Sequence, residues 1–468
     1  MDPACPEISE MVSKPVNGNE NSKREFRTSI YPLFTYTVLY HQYELTGMNM
    51  TTNIKKIPLA FGSGVFELNI PEKNISSLIL PSEPEKKEDG ALLIRKALEN
   101  PINSKRLSEI VNPESRIAII VSDVTRPTPT AKILPPLLDE LYLGGARDKN
   151  IMIIFALGLH RQQTEEESKK LVGEDIYKKI RCIQHDTSRC RRIGVTSRGT
   201  PVDIFEEVLD SDFVIGTGGI EFHYYAGYSG GAKSILPGVS SEEAVLTNHK
   251  MMIEENAVSG RVDSPVRQDM EEAAKIFGLK FILNVVLDSK KGIVAAVAGD
   301  FTEAHRKGVE VVDAMYKVPV EPADAVVVSC GGYPKDINLY QANKALDNAT
   351  QAVKDGGSII LVAECSEGIG NQVYECWNRE CKSPDDAIER FKHCFEFGGH
   401  KSAIVAIAAK KFKLYLVSEL PEDKARTAFF TPMASVQEAL SAVLSENPDS
   451  KIHLMPHGGQ TLPVRKEN

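Results

Sequence analysis

At 468 residues the chain is too long for a single compact core, and two domains are expected of it. An apolar share of 42%, a charged share of 25% and the lack of any run of about 18 apolar residues argue against a membrane-spanning helix. A formal net charge of −9 argues against a nucleic-acid surface, which would cluster Lys and Arg on one face. The eight cysteines show no zinc-knuckle or disulfide-framework spacing and suit free thiols in a reducing, cytoplasmic setting.

Residues 1–50 read as an extension apart from the rest. Their first half is polar and turn-rich, as in a disordered segment, and their second half is apolar but too broken by polar residues to span a membrane. From Ile57 short strands and polar turns lead through SEPEKKEDG into a helix near 91–99. Strands and helices then alternate as in an α/β domain: strand 117–121, helix 132–143, strand 151–156, a helix capped by Thr164, and strand 213–215. Ser264-Pro265 opens another helix, strands 281–287 and 292–297 form a hairpin, and helix 302–316 closes this part. A loop-like VPVEP precedes a second alternation that includes strands 325–329 and 358–363, with later apolar runs at 402–408 and 413–417. The expected fold class is α/β, with two lobes of mostly parallel sheet and an active-site cleft between them. The expected division is a cofactor-binding domain over 51–310 and a C-terminal domain over 311–468.

Chemistry-bearing residues recur just past the carboxyl ends of strands, where ligands bind in open parallel sheets. SDVTRP brings Asp123 and Arg126, GLHR brings His160, and the glycine-rich run from Gly216 to His249 brings His223, Lys233 and His249. Gly227 to Ser234 matches a nucleotide-binding P-loop except that Ala232 replaces the second glycine, and Pro237-Gly238 interrupts the helix that should follow. Such a loop can still cradle a single phosphate with its amides. Imidazoles titrate near neutrality and are common metal ligands, so three of them at strand ends suggest acid/base and metal duties. Arg126 suits a bidentate grip on a carboxylate or phosphate. Lys233 is either a solvated surface group or a covalent cofactor anchor, for instance as a Schiff base with pyridoxal phosphate.

SDVTRP (122–127), GLHR (158–161), HD (185–186), RGTPV (198–202), IEFHYYAGYSGGAKSILPGVSS (220–241), NH (248–249) and LYQANKAL (339–346) together resemble the nickel-pincer lactate racemase family, over roughly residues 55–465. The resemblance implies a racemase or epimerase of 2-hydroxy acids that depends on cofactor-assembly enzymes. It implies nickel held in a pyridinium-3-thioamide-5-thiocarboxylic acid mononucleotide joined to Lys233, with His249 as the metal ligand from the protein. It further implies His160 and His223 as acid/base residues and Arg126 and Lys344 as carboxylate binders. Asp123, Tyr340 and Gln341 would line the site, with Ser229, Gly230 and Gly231 beside the nucleotide. A Lys233 Schiff-base enzyme and a non-catalytic cofactor-binding protein are the alternatives.

Overall fold

Buried runs of β-branched and aliphatic residues form the central strands of two six-stranded sheets. The computed structural model describes residues 53–84, 88–394, 396 and 398–466, and the extension expected over 1–50 lies outside them. In the first sheet the order is Ile293–Gly299, Phe281–Leu287, Phe213–Gly219, Ile117–Ser122, Ile151–Ala156, Arg181–Gln184. Neighbours are parallel except the first two, which form the expected hairpin. Alternate residues of Ile117–Ser122 enter opposite cores: Ile117, Ile119 and Val121 pack with helices Gly90–Glu99 and Thr130–Leu143, while Ala118 and Ile120 pack with helices Pro265–Phe277 and Glu303–Tyr316. Two-sided burial is why this strand reads as a continuous apolar run rather than an alternation. Each fully buried aliphatic side chain stabilises the sheet by about 1.5–3 kcal/mol.

The second sheet, parallel throughout, has the order Thr431–Met433, Lys413–Val417, Val353–Val362, Ala323–Ser329, Ile452–Met455, Ile75–Leu78. Its edge strand thus comes from the start of the described chain. The preceding hairpin also packs here, with Leu59, Leu68 and Ile70 in one core with Val327, Ile360 and Leu454. The first lobe is therefore an insertion within the second. The chain's outward and return passages lie together: the Ser82 N–H donates to the Met315 carbonyl (2.7 Å), and the Tyr316 hydroxyl donates to Glu83 Oε1 (3.0 Å). Position 310 falls inside helix Glu303–Tyr316, whose Ala304, Val309 and Val312 pack into the first lobe, so the chain changes lobe only after Tyr316. The apolar run 402–408 lies in helix His400–Lys411, and 413–417 is a strand. Among the described residues the cysteines are free, and no helix is long and apolar enough to cross a membrane.

Candidate active site

Three loops leave the carboxyl ends of adjacent strands of the first sheet and carry the expected residues. Asp123 and Arg126 follow Ile117–Ser122, His160 follows Ile151–Ala156, and the glycine-rich run continues from Phe213–Gly219. Gln163 ties the first two loops together: its Oε1 accepts the Val124 N–H (2.6 Å), and its own N–H donates to Gln184 Oε1 (2.6 Å). Thr164 caps helix Glu165–Val172 in a reciprocal capping box with Glu167, fixing where the His160 loop ends.

His160 is oriented by a carboxylate. Its Nδ1 lies 3.1 Å from Oδ2 of the buried Asp123 and 3.4 Å from the Thr125 hydroxyl. The Arg126 guanidinium stands 3.9 Å from the same Oδ2. Burial pushes the Asp123 carboxyl up, but hydrogen bonds from His160 and Thr125 outweigh it and the net displacement is downward, so Asp123 is ionised. With Nδ1–H donated to that carboxylate, the His160 Nε2 is the ring nitrogen left for a reactant.

In the glycine-rich run the ring of Tyr225 is the hub. His223 meets it edge-on at 4.4 Å, His249 at 5.0 Å, and Lys233 Nζ lies 5.7 Å from its centroid. His249 closes helix Glu242–His249, which Ser241 caps. Its Nδ1 lies 3.2 Å from Asn248 Oδ1, and Asn248 is itself held by Val266 and Asp269, so the ring is fixed and Nε2 is the nitrogen it can offer a metal. Burial, and then the Lys233 charge, depress His249 to about 3, which keeps the imidazole neutral as a ligand must be. The same causes act on His223, which lies well below its ordinary value through burial and the nearby Lys233 and Arg126. Lys233 is likewise pushed far down, by burial and then by Arg126 and Arg267.

The loop's own polar groups are partly spent holding its shape. Gly230 (φ +73°) and Gly231 (φ +61°) take left-handed conformations, the Gly231 N–H donates to Asn284 Oδ1 (2.8 Å), and the Ser229 hydroxyl donates to the Gly219 carbonyl (2.7 Å). Arg267, fully buried, donates Nε–H to the Ala226 carbonyl (3.1 Å) and its Nη2 to that of Tyr228, and His305 Nε2 lies 2.8 Å from the Ser229 carbonyl. The Ser229 hydroxyl and the Gly231 amide are thus engaged internally.

The second lobe adds helix Leu339–Ala349, with Tyr340, Gln341 and Lys344, and the first turn of helix His400–Lys411. Surrounding protein lowers the Lys344 ammonium, against the pull of Glu221, and burial pushes the Tyr340 hydroxyl up to about 12. Contact between the lobes is direct: Tyr224 Oη lies 3.0 Å from His400 Nε2, and Lys401 Nζ sits 3.8 Å from the Tyr224 ring centroid and 5.4 Å from that of Tyr340. Burial raises the Asp347 carboxyl and lowers the Lys401 ammonium, while each charge partly offsets the shift of the other. The geometry therefore joins His160, Asp123 and Arg126 in one network and His223, Lys233 and His249 in another, with the Arg126 charge felt by His223, Lys233 and Lys344 alike. The Gln341 backbone N–H donates the capping bond to Asn338 Oδ1 (3.0 Å). Arg267, His305, His400 and Lys401 were not foreseen: each reads in sequence as an ordinary polar residue, and only the tertiary burial singles it out.

A profile of the lactate racemase N-terminal domain matches residues 61–260, and one of the lactate racemase C-terminal domain matches 318–462. A lactate racemase of Thermoanaerobacterium thermosaccharolyticum is 36% identical over 416 residues, 86% of this chain and 97% of that protein. Another, from Lactiplantibacillus plantarum, is 38% identical over 285 residues, covering 60% of this chain and 67% of that one. The structure of the lactate racemase apoprotein from T. thermosaccharolyticum superposes with a TM-score of 0.81 at 34% identity, over 88% of this chain and 100% of that one. A Thermotoga maritima protein shares the fold with a TM-score of 0.57 at 20% identity.

Proposed function

The chain belongs to the lactate racemase family and is an isomerase of the racemase kind, and on that premise we propose that it inverts C2 of a small 2-hydroxy acid, lactate or a relative, by removing and returning a hydride. The observation that carries this reading is the set of cations around the two histidines. The Arg126 charge bears on His223 and Lys344 alike, and Lys344 forms no ion pair among the described residues, so an anion is the complementary guest.

The residues also fit the nickel-bearing pyridinium mononucleotide that the family resemblance implies. A lysine whose charge burial disfavours is relieved of it when its nitrogen is acylated, which suits Lys233 as the covalent anchor. His249 is neutral and immobilised, as a metal ligand should be. Among the described residues no group of three or more His, Cys, Asp or Glu is arranged to hold a metal, so His249 would act with donors from the cofactor. When bound, that group supplies an electrophile able to take a hydride from C2.

The chain's own residues do the rest. Arg126 and Lys344 grip the carboxylate. His160 takes the hydroxyl proton at Nε2 for one enantiomer, and the ring's new charge then faces the Asp123 carboxylate. Loss of that proton and of the C2 hydride leaves a 2-oxo acid, which turns in the site before hydride returns to its other face. His223, neutral and ringed by cations, exchanges the hydroxyl proton of the opposite enantiomer. Two bases are needed because the hydroxyl points to different sides in the two forms, and each contributes about 10²–10⁴-fold. A cytoplasmic setting and the cofactor-assembly enzymes as partners complete the proposal, together with the division into a cofactor-binding lobe and a C-terminal lobe. The test is a chiral assay of holoenzyme, made with its assembly enzymes, against a panel of 2-hydroxy acids. Racemisation that tracks nickel content and is lost in both H160A and H223A is the expected result; nickel-free holoprotein with full activity would reject it.

A further inference from the structure

The two histidines are held in different ways. His160 has the Asp123 carboxylate at its Nδ1, whereas the hydrogen bond found for the His223 ring is a long one, 3.4 Å, accepted from the Ala226 N–H. What lies flat against His223 is the ring of Tyr224, 5.2 Å between centroids and 15° from parallel. Tyr224 is in turn seized by the second lobe. Its hydroxyl is 3.0 Å from His400 Nε2, its ring lies 7° from parallel to that of His400, and Lys401 Nζ stands 3.8 Å from its centroid. His400 and Lys401 are 1% and 3% exposed, so neither is a solvated surface group that happens to lie nearby. A buried lysine over an aromatic face is strongly directional, because its ammonium finds there the negative face of the ring. Lys401 also reaches Tyr340, which precedes Gln341 and Lys344 on the helix that would hold substrate. The loop that delivers the pair is packed tightly: a Cβ on Gly399 would stand 2.3 Å from Trp377.

We propose that His400 and Lys401 are positioning residues that set the orientation of His223 through Tyr224, so that the second lobe aligns the proton-transfer group of the first. This rests on the reading of His223 as a base. Small errors in the placement of such a group cost rate more than binding, because the reacting atoms must meet at about 3–3.5 Å.

The experiment compares holoenzyme carrying Lys401→Met, Lys401→Arg, Tyr224→Phe and His223→Ala, each checked for nickel content and thermal midpoint. Lys401→Met keeps the bulk and removes the charge; kcat should fall about 10-fold to 100-fold with KM within about twofold, and Lys401→Arg should restore most of kcat. Tyr224→Phe, which keeps the ring and removes the hydroxyl that meets His400 and Tyr225, should lower kcat in the same direction and decides the matter if Lys401→Met does not accumulate as folded protein. If H223A abolishes racemisation while Lys401→Met and Tyr224→Phe keep wild-type kcat, the positioning role is wrong. A rise in KM alone would also overturn it, by making Lys401 a substrate binder. If H223A retains full activity, the base assignment itself fails and this inference falls with it.

Discussion

Oδ2 of Asp123 faces Nδ1 of His160 at 3.1 Å while Oδ1 of the same carboxylate accepts the Thr125 N–H at 2.7 Å. The carboxylate is pinned at both oxygens, and the ring is pinned by it. Asp123→Asn keeps the shape but can present an amide N–H to the ring, which would turn the tautomer over. We expect kcat to fall on the order of 10²-fold with folding intact, measured as initial rates on holoenzyme; an unchanged kcat would show that His160 needs no carboxylate.

Loading with cofactor can be read without any turnover. His249→Ala should leave the chain folded yet lower its bound nickel severely, by elemental analysis, because the fixed imidazole is the ligand the protein offers. Lys233→Arg should abolish the added mass seen on the intact chain, since a guanidinium cannot form the linkage. Nickel retained in H249A at wild-type level would move the metal elsewhere.

For the substrate grip, Lys344→Met and Arg126→Met should act chiefly on KM. Each removes one cation from an anion site, and a charge-assisted hydrogen bond lost there corresponds to about 1.5–3 kcal/mol, or roughly 10-fold to 100-fold in KM. A loss confined to kcat would recast the residue as part of the proton transfer.

Backbone geometry makes a prediction about stability rather than rate. Gly227 sits at φ +73°, and a Cβ there would lie 1.8 Å from the Arg261 carbonyl oxygen. Gly227→Ala should cost about 1–3 kcal/mol or prevent folding, by urea denaturation. A neutral effect would mean that the loop relaxes freely.

Acid should destabilise the fold well above the carboxylate range. Burial depresses His185 to about 4 and holds the fully buried His305 well below its ordinary value. Below pH ~6.5 the unfolded chain binds protons at these sites that the folded chain refuses, so stability falls with falling pH, by about 1.4 kcal/mol per unit for each such group until its folded value is reached. For His185 the window runs from about 6.5 down to about 4. The urea midpoint should be lower at pH 5.5 than at pH 7.5, and a midpoint that rises instead would contradict this.

Much of the first lobe could be read in the chain because its strands are buried on both faces, which turns Ile117–Ser122 and Ile151–Ala156 into unbroken aliphatic runs. The glycine-rich loop was equally legible, since the left-handed backbone at Gly230 and Gly231 leaves a compositional mark. Insertion of one lobe in the other was not. Strand Ile75–Leu78 alternates half-buried and exposed positions like any edge strand, and Ser77 meets His453 across 376 residues of sequence. Lys401 and Arg267 were hidden for a related reason. On a helix, a single basic residue reads as the solvent face, and only neighbours brought from elsewhere in the chain bury it.

The passages through 79–84 and 315–318 give the inserted lobe two attachments instead of one, clasped to each other by the Ser82 to Met315 bond. A body hung on a single strand can swivel about it; one hung on two adjacent strands behaves like a door on paired pins. The inserted lobe is tethered at two points, which restrains its swivel against the second lobe and with it the register of Tyr224 and His400.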